Sequence, residues 1–214
     1  MGTSYFERFF VDGGPLVWFV LFPLSIVTVS LIVRHYLTIR RGRLLPGAVV
    51  GKLERLARQG DAVRLRAAAG EAGDLLSRAL QVVLGQAAGG VAAMENAIYD
   101  ALEQQAMGLR RRIEWLHIIG NIAPMIGLFG TVWGMIEAFH RIVVAQGQPE
   151  AEELAGALSI AMVTTLWGLL AAIPALAAYG SLRNRIEGLT ADAAVAAGDF
   201  LPLASVMSGQ EVGQ

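Results

Sequence analysis

The chain has 214 residues, 55% of them hydrophobic and 16% charged, with a formal net charge of −1 and a mean hydropathy of +0.53. Such a composition is too apolar for a soluble domain of this size and too charged for a chain lying wholly in a membrane. There is no cysteine, which removes disulfides, thiolate metal sites and cysteine nucleophiles, and a near-neutral total gives no argument for nucleic-acid binding.

Residues 1–14 are a short polar start with Glu7, Arg8 and Asp12. Residues 15–33, PLVWFVLFPLSIVTVSLIV, carry no charge. Three features argue against a cleaved signal peptide: the leader lacks a positive n-region, the apolar run is longer than a signal h-region, and no A-x-A site follows. The run reads as a retained first transmembrane helix, with Pro23 predicting a kink in it. Arg34, Arg40, Arg41 and Arg43 follow directly, with Tyr36 at the boundary.

Residues 34–114 read as a soluble helical region. Pro46 and Gly47 punctuate the exit from the first span. Residues 51–59 and 62–69 have helix-forming composition with Gly60-Asp61 between them. In residues 74–88, Leu75, Leu76, Ala79, Leu80, Val83 and Leu84 recur at helical spacing, and Gly89-Gly90 ends the pattern. Val91, Met94, Ile98, Leu102, Gln105 and Leu109 then mark one face of a helix with no stop signal before Trp115, so it is expected to run unbroken into the second span. Arg110, Arg111 and Arg112 read as an anchor at the membrane boundary.

The second span occupies residues 115–139. Within it, IIGNIAPMIGLFGTVWGMIEAF has no charge before Glu137 and is long enough to cross a bilayer as one helix. Its small residues are ordered. Gly120, Pro124, Gly127, Thr131, Gly134 and Ala138 follow steps of three and four, which lines them along one side of a helix, and Gly130 forms a GxxxG pair with Gly134. Small side chains let another helix backbone come close, which is how membrane helices associate. The Thr131 hydroxyl is either bonded back to its own helix or turned to function, and spacing alone leaves both open.

Residues 140–154 read as a loop holding Glu150, Glu152 and Glu153. The third span, residues 155–182, is uncharged and at ~1.5 Å per residue is ~42 Å long, more than the ~30 Å hydrocarbon core, so it must tilt or project. Ala157, Ala161, Thr165, Gly168, Ala172 and Ala175 form a second small-residue stripe. Arg183 and Arg185 close the span, and residues 183–214 form an alanine-rich tail without a clear pattern past Phe200.

Thirteen of the 17 Lys and Arg lie between Arg34 and Arg112, and two more at Arg183 and Arg185. By the positive-inside rule the N-terminus and the acidic 150s loop lie outside, and residues 34–114 and the tail inside. The fold class is an all-α membrane protein with three transmembrane helices and long helices extending into a cytoplasmic helical region. Two small-residue stripes in three spans imply partner chains, here a ring of subunits. His35, His117 and His140 make no ligand set, no Ser-His-Asp or GxxxxGK[ST] pattern occurs, and nothing points to an enzyme or a cofactor.

APMIGLFGTVWGMIEAF resembles the second-span signature of the MotA/TolQ/ExbB proton channel family, roughly APxLGLLGTVxGMIxxF. LSIAMVTTLWGLLAAIPALAAY is similar to that family's third span, where a TT or AT pair precedes GLxxAIPxxxxY, and the first span with its RHYLTIRRGRLLP exit resembles that of ExbB. The resemblance implies a bacterial inner-membrane channel or motor subunit. Several copies, five in the family, would surround single-span partners of the ExbD/TolR type that carry a membrane aspartate. A TonB- or TolA-like protein would then pass force onward, with proton motive force as the drive. It implies pore-side roles for Thr131 and Thr165, with Thr164 and Ser159 as further hydroxyls that can hold water. It also brings Pro174 into the packing set of Gly120, Pro124, Gly127, Gly130, Gly134, Ala161, Gly168 and Ala172. The sequence departs from it at Ile160, where ExbB and TolQ carry a glutamate. The essential acid is therefore expected on the partner helix. The alternatives are a non-conducting scaffold and a stator-like, MotA-like component; a small secondary transporter is disfavoured, since there is no inverted repeat.

Overall fold

In a computed structural model, residues 14–85, 90–148 and 150–202 are described; the readings made on residues 1–13, 86–89 and 203–214 lie outside them. Among the described residues every regular element is helical, and three helices are long and apolar enough to cross a membrane. The chain divides into two compact units. Of the described residues, one holds those from 14 to 34 and from 114 to 180, the other those from 35 to 113 and from 181 to 202.

The first unit contains the three spans. A short helical turn, Gly14–Leu16, leads into a π-helical stretch, Val17–Leu21, and then α1, Phe22–Thr38. The irregularity that Pro23 predicts thus takes the form of a widened turn just ahead of it, with the Phe22 N–H donating to the Val17 carbonyl five residues back. Proline has no N–H to return, and a widened turn is one way a helix absorbs that loss. The stretch buries Val17 and Leu21 against Trp167 of the third span, and Phe22 meets the same indole edge-on at 6.0 Å between ring centroids. Leu24 packs on Ala123, Ala171 and Ala172. In lipid such contacts act through dispersion and close fit, since hydrocarbon surrounds the helices on the other side as well. Ser25 and Thr28 return their hydroxyls to the carbonyls of Phe22 and Leu24, so α1 exposes no unmet hydroxyl at those positions.

The second unit is built from α2 (Arg41–Leu44), α3 (Gly47–Arg58), α4 (Ala62–Glu71) and α5 (Leu75–Gly85). To these it adds the first part of α6 (Gly90–Val144) and the last part of α7 (Ala151–Gly198). The helix that the sequence carries from the 90s into the second span is continuous, as the absence of any stop signal predicts. Met94, Ile98, Leu102 and Leu109 are buried along it, Leu76, Ala79, Leu80 and Val83 are buried on α5, and the Gln105 amide donates to the Leu75 carbonyl at 3.3 Å between the two helices. Gly60 adopts a positive φ of 72° between α3 and α4, a conformation glycine takes without the cost of a Cβ. Asp61 caps α4 by accepting from the Arg64 N–H at 2.9 Å. Asp74 does the same for α5 while buried, accepting from the Ser77 N–H at 3.0 Å and the Ser77 hydroxyl at 2.7 Å. Asp74→Ala is expected to cost about 1–2 kcal/mol, since it removes the cap and leaves the Ser77 hydroxyl without its acceptor. A fall in the thermal unfolding midpoint of the detergent-solubilised protein, largely recovered by Asp74→Asn, is the check.

The expected loop over residues 140–154 is shorter as built. Helix α6 continues to Val144 and α7 starts at Ala151, because the charges near 140 and 150 do not themselves break a helix. What ends α6 is a reversal in which Gln146 takes a positive φ of 52° and the Gly147 N–H reaches back to the Ile142 carbonyl at 2.9 Å. Gln146→Gly is expected to stabilise this end by about 0.5–1 kcal/mol by removing the Cβ penalty; slower hydrogen exchange at Gly147 would report it.

Candidate functional site

The second and third spans run antiparallel and meet along glycine. A Cβ on Gly168 would lie 2.6 Å from the Ala123 carbonyl oxygen and 3.2 Å from Gly127 Cα. One on Gly127 would lie 3.0 Å from Thr165 Cα, and one on Gly134 2.6 Å from Ala161 Cβ and 3.0 Å from the Ala157 carbonyl oxygen. Gly130 faces the Thr164 side chain, and Gly120 faces the Leu176 side chain. No other residue type permits backbones this close. Ala157, Ala161, Ala172 and Ala175 are buried along α7. The stripe of one span therefore lies on the stripe of the other within a single chain. This corrects the expectation that both stripes need other chains to cover them: an antiparallel pair of helices presents small residues to itself.

The surface left over is large and apolar. Met125, Leu128, Phe129, Trp133, Ile136 and Phe139 on α6 and Met162, Leu166 and Ile173 on α7 are all exposed. These bulky flanks are the surface available to lipid and to neighbouring chains.

The hydroxyls sit at one level of this seam. Thr165 Oγ1 donates across it to the Gly127 carbonyl oxygen at 3.1 Å. Thr164 is 2% exposed; its hydroxyl donates to the Ala161 carbonyl of its own helix at 2.7 Å and lies 3.5 Å from the same Gly127 oxygen. The Gly127 carbonyl also faces the Thr131 N–H in the ordinary helical pattern. The Thr131 hydroxyl donates to the Leu128 carbonyl at 2.7 Å. Ser159 is half-buried on α7. Pro124 and Pro174 lie inside α6 and α7, Pro124 half-buried and Pro174 exposed.

Beside the seam is a cleft of about 480 Å³ whose lining includes Leu16, Phe19, Phe129, Trp133, Ile160 and Thr164, with Glu137 the one charged residue among those that line it. Ile160, standing where a third-span glutamate was looked for, makes part of the apolar wall. Glu137 lies 3.4 Å from the Arg141 guanidinium one turn along the same helix. No group of three or more His, Cys, Asp or Glu that could hold a metal occurs among the described residues.

Sequence reasoning missed this cleft, which depends on the π-helical stretch bringing the start of α1 against α7. It also missed the pairing of Thr164 with Gly130, since 130 and 131 both border the same helix face and the periodic count favoured Thr131.

A family model, MotA/TolQ/ExbB proton channel family, matches residues 68–194, more than half of the chain. The Tol-Pal system protein TolQ of Haemophilus influenzae is 36% identical over 97 residues, 45% of this chain and 42% of that protein. The corresponding protein of Pseudomonas aeruginosa is 34% identical over 94 residues, 40% of its length. These two alignments thus reach less than half of either relative. The biopolymer transport protein ExbB of Neisseria meningitidis is 31% identical over 197 residues, covering 86% of this chain and 89% of that one. With the family model matching through the second and third spans and an ExbB aligned along 86% of the chain, the chain belongs to the MotA/TolQ/ExbB proton channel family, as a helical protein of a bacterial inner membrane.

Proposed function

We propose that this chain is the channel and motor subunit of an ExbB-ExbD- or TolQ-TolR-type complex, coupling the proton motive force to mechanical work on a periplasmic or outer-membrane process. The observation that carries the reading is the composition of the seam. Three spans hold no charged residue between their ends, yet the hydroxyls of Thr164 and Thr165 meet at a glycine-lined level of the second and third spans. A proton crossing ~30 Å of hydrocarbon needs a titratable carrier or a water wire. Threonine can hold water but no charge at neutral pH. The missing carboxyl is then supplied by a single-span partner of the ExbD/TolR type, where burial raises the acid's pKa toward the range in which it both loads and unloads. The assembly is a ring, five copies as in the family, around that partner. The basic region 34–112 is cytoplasmic and the N-terminus periplasmic, and a TonB- or TolA-like protein receives the force.

The experiment is proton flux into liposomes under an imposed pH gradient. The purified ring alone is expected to be silent, and the ring with its partner to conduct. Robust flux from the ring alone, or unchanged flux after the partner's membrane acid is replaced by its amide, would overturn the reading.

A scaffold that does not conduct is favoured by one specific observation: Thr131 and Thr164 return their hydroxyls to their own helices, to Leu128 and Ala161. Under that reading the ring with its partner stays silent in the same assay.

A further inference from the structure

The second unit contains a cleft of about 400 Å³ where α5 and α6 meet the end of α2. Arg78, Arg112, Gln104 and Gln105 line its polar side, and Leu44 and Leu109 belong to its apolar side. No carboxylate lines it, and among the described residues neither guanidinium takes part in an ion pair or a side-chain hydrogen bond. The neighbouring arginines are used differently. Arg110 is held by Glu103 at 3.0 Å, Arg41 by Asp192 at 3.3 Å, and Arg66 donates to the Leu84 carbonyl at 2.6 Å. The Arg78 guanidinium lies over Gly73, where even an added Cβ would come no nearer than 3.9 Å. Both arginines are exposed, so solvent screens their mutual repulsion, and an anion held in the cleft gives both guanidiniums the counter-charge that no lining side chain supplies.

Two placements bear on which anion. Arg112 stands three residues ahead of Trp115 in the unbroken helix α6, about 4.5 Å of rise from the start of the second span. Leu44 ends the short helix that follows the first span. Leu44 and Arg112 thus come from segments that adjoin a span in the chain, while Arg78 comes from α5, and the apolar side chains beside the arginines suit the first acyl methylenes of a lipid next to its phosphate. We infer that Arg78 and Arg112 form a binding site for the phosphate headgroup of an anionic phospholipid. Guanidinium forks match the phosphate oxygens in geometry as well as charge, and the two glutamine amides add donors for the glycerol oxygens.

The test is native mass spectrometry of the ring released from nanodiscs holding equal amounts of phosphatidylglycerol and phosphatidylcholine. Wild type is expected to retain phosphatidylglycerol preferentially. Arg78→Gln/Arg112→Gln should lose at least fivefold of that retention, whereas Arg58→Gln, on an exposed arginine outside the cleft, should not. Arg78→Lys/Arg112→Lys keeps both charges and is expected to retain most of the lipid. Three results would overturn the inference. One is equal retention of the two lipids by wild type. Another is a loss in Arg58→Gln as large as in the double variant, which assigns the effect to bulk charge. The third is a loss in the lysine pair that tracks a fall in its unfolding midpoint. A separate arm adds inorganic phosphate at millimolar concentration: release of the lipid by phosphate alone would make the ligand a soluble phosphate and would likewise overturn the headgroup assignment.

Discussion

Gly168→Leu is expected to abolish the closed pair of second and third spans. The added side chain would start 2.6 Å from a backbone oxygen, that of Ala123, and next to Gly127 Cα and N, none of which can rotate away. Overpacking at sites that can adjust costs about 1–3 kcal/mol, and one bounded by backbone belongs at or above the upper end. Against a total stability of about 5–15 kcal/mol, that is enough to deplete the folded protomer. The damage falls on the protomer first, because Gly168 faces its own chain; loss of the ring follows from it. Alanine scanning of the seam should give a graded order. Gly168 and Gly134 should suffer most, being met by Ala123 O and by Ala161 Cβ with Ala157 O. Gly120→Ala should be mildest, since its close neighbour is the half-exposed Leu176 side chain, which can change rotamer. Unfolding midpoints of the detergent-solubilised variants test the order. An equal loss at Gly120 and Gly168 would contradict the seam as described.

Thr165→Val is expected to separate stability from function. It keeps the shape of the side chain and deletes its bond to the Gly127 carbonyl. Hydrogen bonds between membrane helices average about 0.6 kcal/mol and reach ~1.7, so the folded ring should survive. Flux or driven work in the complete complex should fall about tenfold, the equivalent of ~1.4 kcal/mol on the barrier, if the hydroxyl orders water or meets the partner's carboxyl. Thr131→Val removes only a bond to Leu128 on the same helix and is expected to cost less than Thr165→Val. Wild-type activity in both single variants and the double variant would assign these hydroxyls to packing alone.

The helical architecture was legible because it depends on composition and period. Uncharged runs of bilayer length give the spans, and the unbroken pattern from Met94 to Leu109 gives the continuous helix. Two kinds of detail were not legible. Helical neighbours are 100° apart, so a run of three arginines reads as one patch although Arg110 pairs with Glu103 while Arg112 enters the cleft with Arg78. For the same reason Gly130 and Thr131 exchange prominence once the actual contact with Thr164 is known. Pro23 announces an irregularity, but its form is a widened turn whose Val17 and Leu21 pack on Trp167, a tertiary neighbour far along the sequence that local pattern does not reveal.

Pro124 and Pro174 sit in partner helices that run in opposite directions. Each cancels one rung of its helical ladder, leaving the carbonyls of Gly120 and Leu170 without their usual donors. Gly120 lies against Leu176 and Gly168 against Ala123, so the two missing rungs fall within about a turn of each other along the seam. A beam weakened at one point flexes alone, whereas a pair weakened at the same height flexes together and keeps its faces in contact. Both helices thus lose a rung just beside the Gly127–Thr165 level while that level keeps its own, so a bend at the prolines is one the two helices can share without opening the glycine contact.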